Sequence, residues 1–145
     1  MSNLLVLTLN CGSSSLKFSV IDPKRNSIVL LGLVDFLQSS KIKVSWKINF
    51  KEYSIFLNKN KDYKEIVGLI SDHILKRDLE IFNRISCVGH RVVHGGSKMN
   101  KSVVLDEEVL KYIKKVSCFA PLHNPLSILG IQTSFDVFPH LKKKM

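Results

Sequence analysis

Residues 41–50 read KIKVSWKINF, with Ile42, Val44, Trp46, Ile48 and Phe50 on one side and lysine, serine and asparagine on the other. Such period-two patterning describes a strand with one buried and one wetted face. It commits this part of the chain to a sheet. Tyr53, Ile55 and Leu57 resume the alternation after a short turn, which predicts a hairpin.

Further strands precede this one. Residues 4–9 form a short, nearly continuous apolar run, the pattern of a strand buried on both faces. A Gly-Ser turn leads to a second run over 16–21, which Asp22-Pro23 closes, and a third spans 27–36. The short first connection suits an antiparallel pair. Beyond residue 60 the period changes. Tyr63, Ile66, Val67, Ile70 and Ile74 follow helical spacing behind Asp62, an N-cap candidate. A strand is predicted from Ile85 to about Val93. Asp106, Glu107 and Glu108 then open a helix with Lys114 and Lys115 near its end, as the helix dipole favours. Asn124-Pro125 reads as an N-cap with proline at the first helical position, and that helix should end near Pro139. Strands first and helices later predict a mixed α/β domain.

At 145 residues the chain is long enough for one domain with a core and short for two. No apolar run approaches the roughly 18 residues needed to span a bilayer. The apolar start lacks a basic leader, so cytoplasm is the expected compartment and no membrane partner is expected. The three cysteines, Cys11, Cys87 and Cys118, are widely spaced and read as small buried hydrophobes. The net charge of +10 favours anionic partners in general. The basic residues are nevertheless spread out, densest in the terminal LKKKM, with no nucleic-acid-binding signature. A solvated basic surface is the simpler reading. A non-enzymatic module binding an anion such as nucleic acid is the alternative.

Three stretches could carry chemistry. In NCGSSSLK, glycine permits close approach, Ser13 and Ser15 offer hydroxyls, Lys17 a cation, and Asn10 could reach a metal-bound water. A phosphate cradle and an ordinary hairpin turn both fit this composition. In GHRVVHGG, alternation puts Arg91 and Val93 on one face, where a guanidinium beside a small apolar wall would suit a short carboxylate. A surface arginine with two histidines near a strand end is the other reading. In APLHNP, two prolines fix the chain around His123 just before a helix, where it could donate to an anion or simply occupy a capping turn.

Together, LNCGSSSLKF, VGHRVVHGG and APLHNPLSILGI resemble the acetate kinase family (acetokinases, with propionate kinases close by) in order and spacing. The resemblance runs to about Phe138. It implies a ribonuclease-H-like first domain of the sugar kinase, Hsc70 and actin superfamily, and phosphoryl transfer between ATP and acetate with magnesium. By the same resemblance Asn10 helps hold Mg2+, while Ser13, Ser15 and Lys17 form the phosphate side, with Lys17 on the nucleotide. Arg91 binds the acetate carboxyl or its phosphorylated product, Val93 and Leu122 wall the methyl pocket, and His123 is an active-site donor. The family continues into an FDTAFH-type motif bearing the catalytic aspartate, which these residues do not contain. The resemblance therefore implies an incomplete amino-terminal domain (1–145) without the second, nucleotide-binding domain. Such a chain should be inactive alone or complemented by a second chain.

Overall fold

The computed structural model describes residues 4–37, 40–141 and 143–144. Five strands come first: β1 (Leu5–Cys11), β2 (Ser15–Asp22), β3 (Ser27–Asp35), β4 (Lys41–Ile48) and β5 (Lys51–Asn58). Helices α1 (Tyr63–Leu69) and α2 (Leu79–Arg84) lead to β6 (Ile85–His90). Then α3 (Glu107–Val116), α4 (Asn124–Val137) and the short β7 (Lys143–Lys144) complete the described fold. The sheet order is β5-β4-β3-β2-β1-β6-β7. Neighbours from β1 to β5 are antiparallel, whereas β6 runs parallel to β1 and β7 parallel to β6. An antiparallel meander followed by a parallel crossover is the expected ribonuclease-H-like arrangement.

Cross-strand register gathers the core onto one face. Leu7 opposes Val20, Leu9 opposes Phe18 and Cys11 opposes Leu16. The row continues through Leu30, Val34, Val44 and Trp46, all buried. Helix α4 packs against β1, β6, α1 and α3. Its buried Ile128 and Ile131 join Leu105 and Ile113 in a second, smaller cluster, while Phe138 just beyond the helix joins the main core. The other face of the sheet leaves Leu31, Leu33 and Phe56 exposed, opposite Lys47, Lys17 and Lys43 respectively.

That one-sided coverage corrects the first strand. Residues 4–9 are not buried on both faces: Leu5, Leu7 and Leu9 are buried, Val6 and Thr8 only half so, and Leu4 is 61% exposed. Phe50 departs from the buried row at 97% exposure. It shares a two-residue turn with Asn49, both at positive φ, so the alternation ends at Ile48. The strand predicted to reach Val93 ends at His90.

Helix α1 begins as expected, with Asp62 and Glu65 in a reciprocal capping box. The backbone then widens into a π-helical turn over Ile70–Ile74 before tightening at Leu75–Arg77. Ile66, Val67, Ile70 and Ile74 stay buried throughout. The short α2 follows under its own Asp78 cap. Asp106 caps α3, as its acidic start predicts. At α4 the cap differs from the sequence reading. His123 holds the N-cap position without a side-chain hydrogen bond, and Asn124 is already inside the helix. The terminal lysine run lies outside the described residues apart from the backbone of Lys143 and Lys144.

Of the three thiols, Cys11 and Cys87 are buried as expected, whereas Cys118 is exposed beyond α3. Burial pushes the Cys11 thiol up to about 12, which keeps it protonated and inert. A thiol reagent at pH 8 should therefore label one cysteine rapidly, and Cys118→Ser should abolish that fast phase. Rapid labelling of two or more sites in the folded chain would contradict this packing.

Candidate active site

Parallel pairing of β1 with β6 builds the site. Leu9 stands in register with His90, and the Arg91 amide donates to the Leu9 carbonyl at 3.4 Å, one step past the end of β6. Arg91 thereby emerges beside Asn10 although 81 positions separate the two in sequence. Both line one cleft of about 880 Å³, with Val93, Met99 and Lys101 further around its wall. The expectation that strand alternation puts Arg91 and Val93 on one face is corrected, although both line this cleft. The chain has left the sheet, and the irregular segment after β6 turns both residues into the cleft.

Asn124 holds that segment in place, a role the sequence reading missed. Its Oδ1 accepts from the His94 amide at 3.1 Å and its Nδ2 donates to the His94 carbonyl at 2.9 Å. The side chain is fully buried. One carboxamide thus mimics a strand partner, satisfies both backbone groups of His94, and ties the Arg91 segment to the start of α4. His94 Nδ1 accepts from the Gly96 amide at 3.0 Å, and its ring lies 5.2 Å from Phe119. A second tie runs from His90 Nε2 to Ser134 Oγ in α4, at 2.9 Å. Ser134 Oγ also donates to the Ile131 carbonyl, which leaves its oxygen to accept from the His90 ring.

The other candidates lie around this centre. Residues 12–15 form a tight turn in which the Gly12 amide donates to the Ser15 carbonyl at 2.9 Å. Ser13 is exposed and Ser15 half-buried. Lys17 is the cross-strand partner of Asn10, but it lines a neighbouring hollow on the open face of the sheet with Leu33 and Lys43. Leu122 and His123 are exposed, next to Asn124, and do not line the Arg91 cleft. The structure therefore brings Asn10, Arg91 and Val93 together and leaves Ser13, Ser15, Lys17, Leu122 and His123 on its rim or beyond.

Among the described residues no group of three or more histidines, cysteines, aspartates or glutamates is placed to hold a metal ion. Asn10 still offers a hard carboxamide oxygen in the cleft. One protein oxygen suits Mg2+, which keeps several waters and takes further ligands from phosphate. No helix among the described residues is long and apolar enough to cross a membrane.

The fold is that of a ribonuclease-H-like first domain. Comparison with known proteins narrows the class. The acetokinase family matches residues 5–145, and the chain belongs to that family. It is 53% identical over 144 residues to an acetate kinase of Buchnera aphidicola subsp. Baizongia pistaciae, spanning 99% of this chain and 36% of that protein. An acetate kinase of Wigglesworthia glossinidia brevipalpis is 44% identical, with 99% and 36% covered. Among solved structures, a propionate kinase from Francisella tularensis superposes with a TM-score of 0.88 at 35% identity, over 97% of this chain and 35% of that one. Porphyromonas gingivalis acetate kinase gives 0.83 at 26% identity, over 97% and 36%. The chain thus corresponds to the amino-terminal portion and spans just over a third of the curated relatives' length.

Proposed function

We propose that these residues form the substrate-facing half of an acetate kinase, which transfers a phosphoryl group reversibly between ATP and acetate. The observation that carries this reading is the meeting of Asn10, Arg91 and Val93 on one cleft through the β1–β6 register.

Phosphoryl transfer asks for positioning and charge neutralisation more than for covalent chemistry by the protein. Arg91 would fork onto the acetate carboxylate or the phosphoryl oxygens, and Val93 would face the methyl group with Leu122. Asn10 would hold Mg2+, which when bound neutralises charge on the nucleotide phosphates. Ser13, Ser15 and Lys17 would face those phosphates, and His123 would donate to the transferring group. In this reading residues 1–145 are an incomplete first domain working in the cytoplasm. The catalytic aspartate and the nucleotide-binding domain lie in sequence outside them, supplied in continuity or by a complementing chain.

A protein comprising residues 1–145 alone is expected to show no acetate-dependent ATP turnover above background. Joined to the remaining portion of the Buchnera relative, the same residues should support acetyl phosphate formation. Arg91→Ala in that chimera should lower kcat/KM by about 100-fold or more, the scale on which a transition-state charge contact acts. Robust turnover by residues 1–145 alone would sink the incompleteness, and a fully active Arg91→Ala chimera would sink the site.

A further inference from the structure

We propose that Tyr63 is a positioning residue for the turn at residues 12–15, holding it in its ligand-ready shape through the Gly12 carbonyl. The proposal rests on the reading of that turn as phosphate-facing and adds a residue lying outside all three sequence motifs.

The Tyr63 hydroxyl donates to the Gly12 carbonyl oxygen across 51 positions of sequence. Its own placement is firm, because it is the first residue of α1. In the capping box behind it, the Glu65 amide donates to Asp62 Oδ1 at 2.8 Å and the Asp62 amide to Glu65 Oε2 at 2.9 Å. The Tyr63 ring packs against Phe36 with centroids 5.4 Å apart, and the Phe36 amide donates to the Ser14 carbonyl at 3.1 Å. The two aromatic residues therefore grip the turn at two carbonyls. Of the turn's four carbonyls a third, that of Ser15, is taken by the Gly12 amide. Beneath the turn, Cys11 abuts Gly130 of α4, where a Cβ would come within 2.4 Å of the sulfur.

This arrangement matters for an anion. Carbonyl oxygens repel phosphate, and a four-residue turn can expose either its amides or its carbonyls. Here the carbonyls of Gly12, Ser14 and Ser15 each receive a donor from within the protein. An approaching phosphate meets no uncompensated acceptor from those residues. Burial, with Cys11 adding to it, pushes the Tyr63 phenol up to about 12, so the hydroxyl stays a donor across the neutral and mildly alkaline range.

Amide exchange of the isotopically labelled 145-residue chain, and MgATP titration of the chimera with the remaining portion of the Buchnera relative, test the proposal. Tyr63→Phe keeps the ring and removes the donor. Gly12 exchange should accelerate about tenfold and MgATP affinity should fall about tenfold, the worth of one well-placed hydrogen bond. The melting temperature should move by only a few degrees, and exchange in β3 and β4 should not change. Tyr63→Leu, which also removes the packing on Phe36, should instead lower the melting temperature clearly. Wild-type Gly12 exchange and MgATP affinity in Tyr63→Phe would overturn the proposal, as would a uniform acceleration across the sheet. Failure of the phosphate reading would show separately, as no MgATP-induced shift at residues 12–15 of the unsubstituted chimera. Gly12 exchange would then still decide whether Tyr63 holds the turn.

Discussion

Alanine at position 124 is expected to cost about 3 kcal/mol, because two polar groups of His94 lose their partner at one stroke. A buried donor or acceptor left unpaired costs roughly 1–3 kcal/mol, far more than the net gain of making an average hydrogen bond. In a chain of this size the loss corresponds to a drop of about 6–12 °C in melting temperature. Asn124→Asp discriminates among causes. Its carboxylate can still accept from the His94 amide and suits a helix start, but it cannot donate to the His94 carbonyl. It should therefore lose nearly as much as alanine. Chemical shifts of residues 91–96 should move in both variants, since the Arg91 wall is what the clamp holds. A loss below about 1 kcal/mol in Asn124→Ala, with those shifts unmoved, would show that the segment is anchored otherwise.

Phe18→Ala should be costlier still, at about 3–5 kcal/mol. The side chain is fully buried, and its ring lies over Gly32, its partner on β3. A Cβ at Gly32 would come within 2.0 Å of the ring, so glycine is required there by the close approach of Phe18. Denaturant midpoints of the two single variants and the double variant give a coupling energy. Gly32→Ala alone should destabilise by driving the ring off its seat. In a Phe18→Ala background the same change should become neutral or stabilising, because alanine suits a strand better than glycine and the obstruction has gone. Additive effects of the two substitutions would mean that the ring does not sit on Gly32 in solution.

How much of this was legible in the sequence depended on whether a pattern was local. Ile42, Val44 and Trp46 announced their strand because one face is wetted and the other buried. Phe50 looked like the next member of that row, but periodicity does not register a two-residue turn at positive φ. The run at residues 4–9 suggested two buried faces because composition does not say whether a second layer covers the sheet. Helix α2 escaped notice since six residues barely express a helical period.

At the site, the motifs around Asn10, Arg91 and His123 were legible as strings, and resemblance gave them roles that their bare chemistry left open. What could not be read was how they are held. Asn124 next to Pro125 carried a correct signal for a helix start, yet its side chain is spent on His94, 30 positions away. The Tyr63 hydroxyl counted only as part of a helical stripe, because nothing local to it points to Gly12. Both contacts are set by tertiary packing, which pattern reading along the chain does not reach.

The two kinds of strand pairing also differ in when they can form. The meander from β1 to β5 joins neighbours through short connections, so each closure costs little entropy and can be made early. Pairing of Leu5 with Ile85 closes a loop of roughly eighty residues and has to await the helices between them. The cleft exists only once β6 docks on β1. During synthesis and refolding the chain therefore passes through a state with most of its sheet built and no binding site, and recovery of ligand binding should lag behind recovery of β-structure.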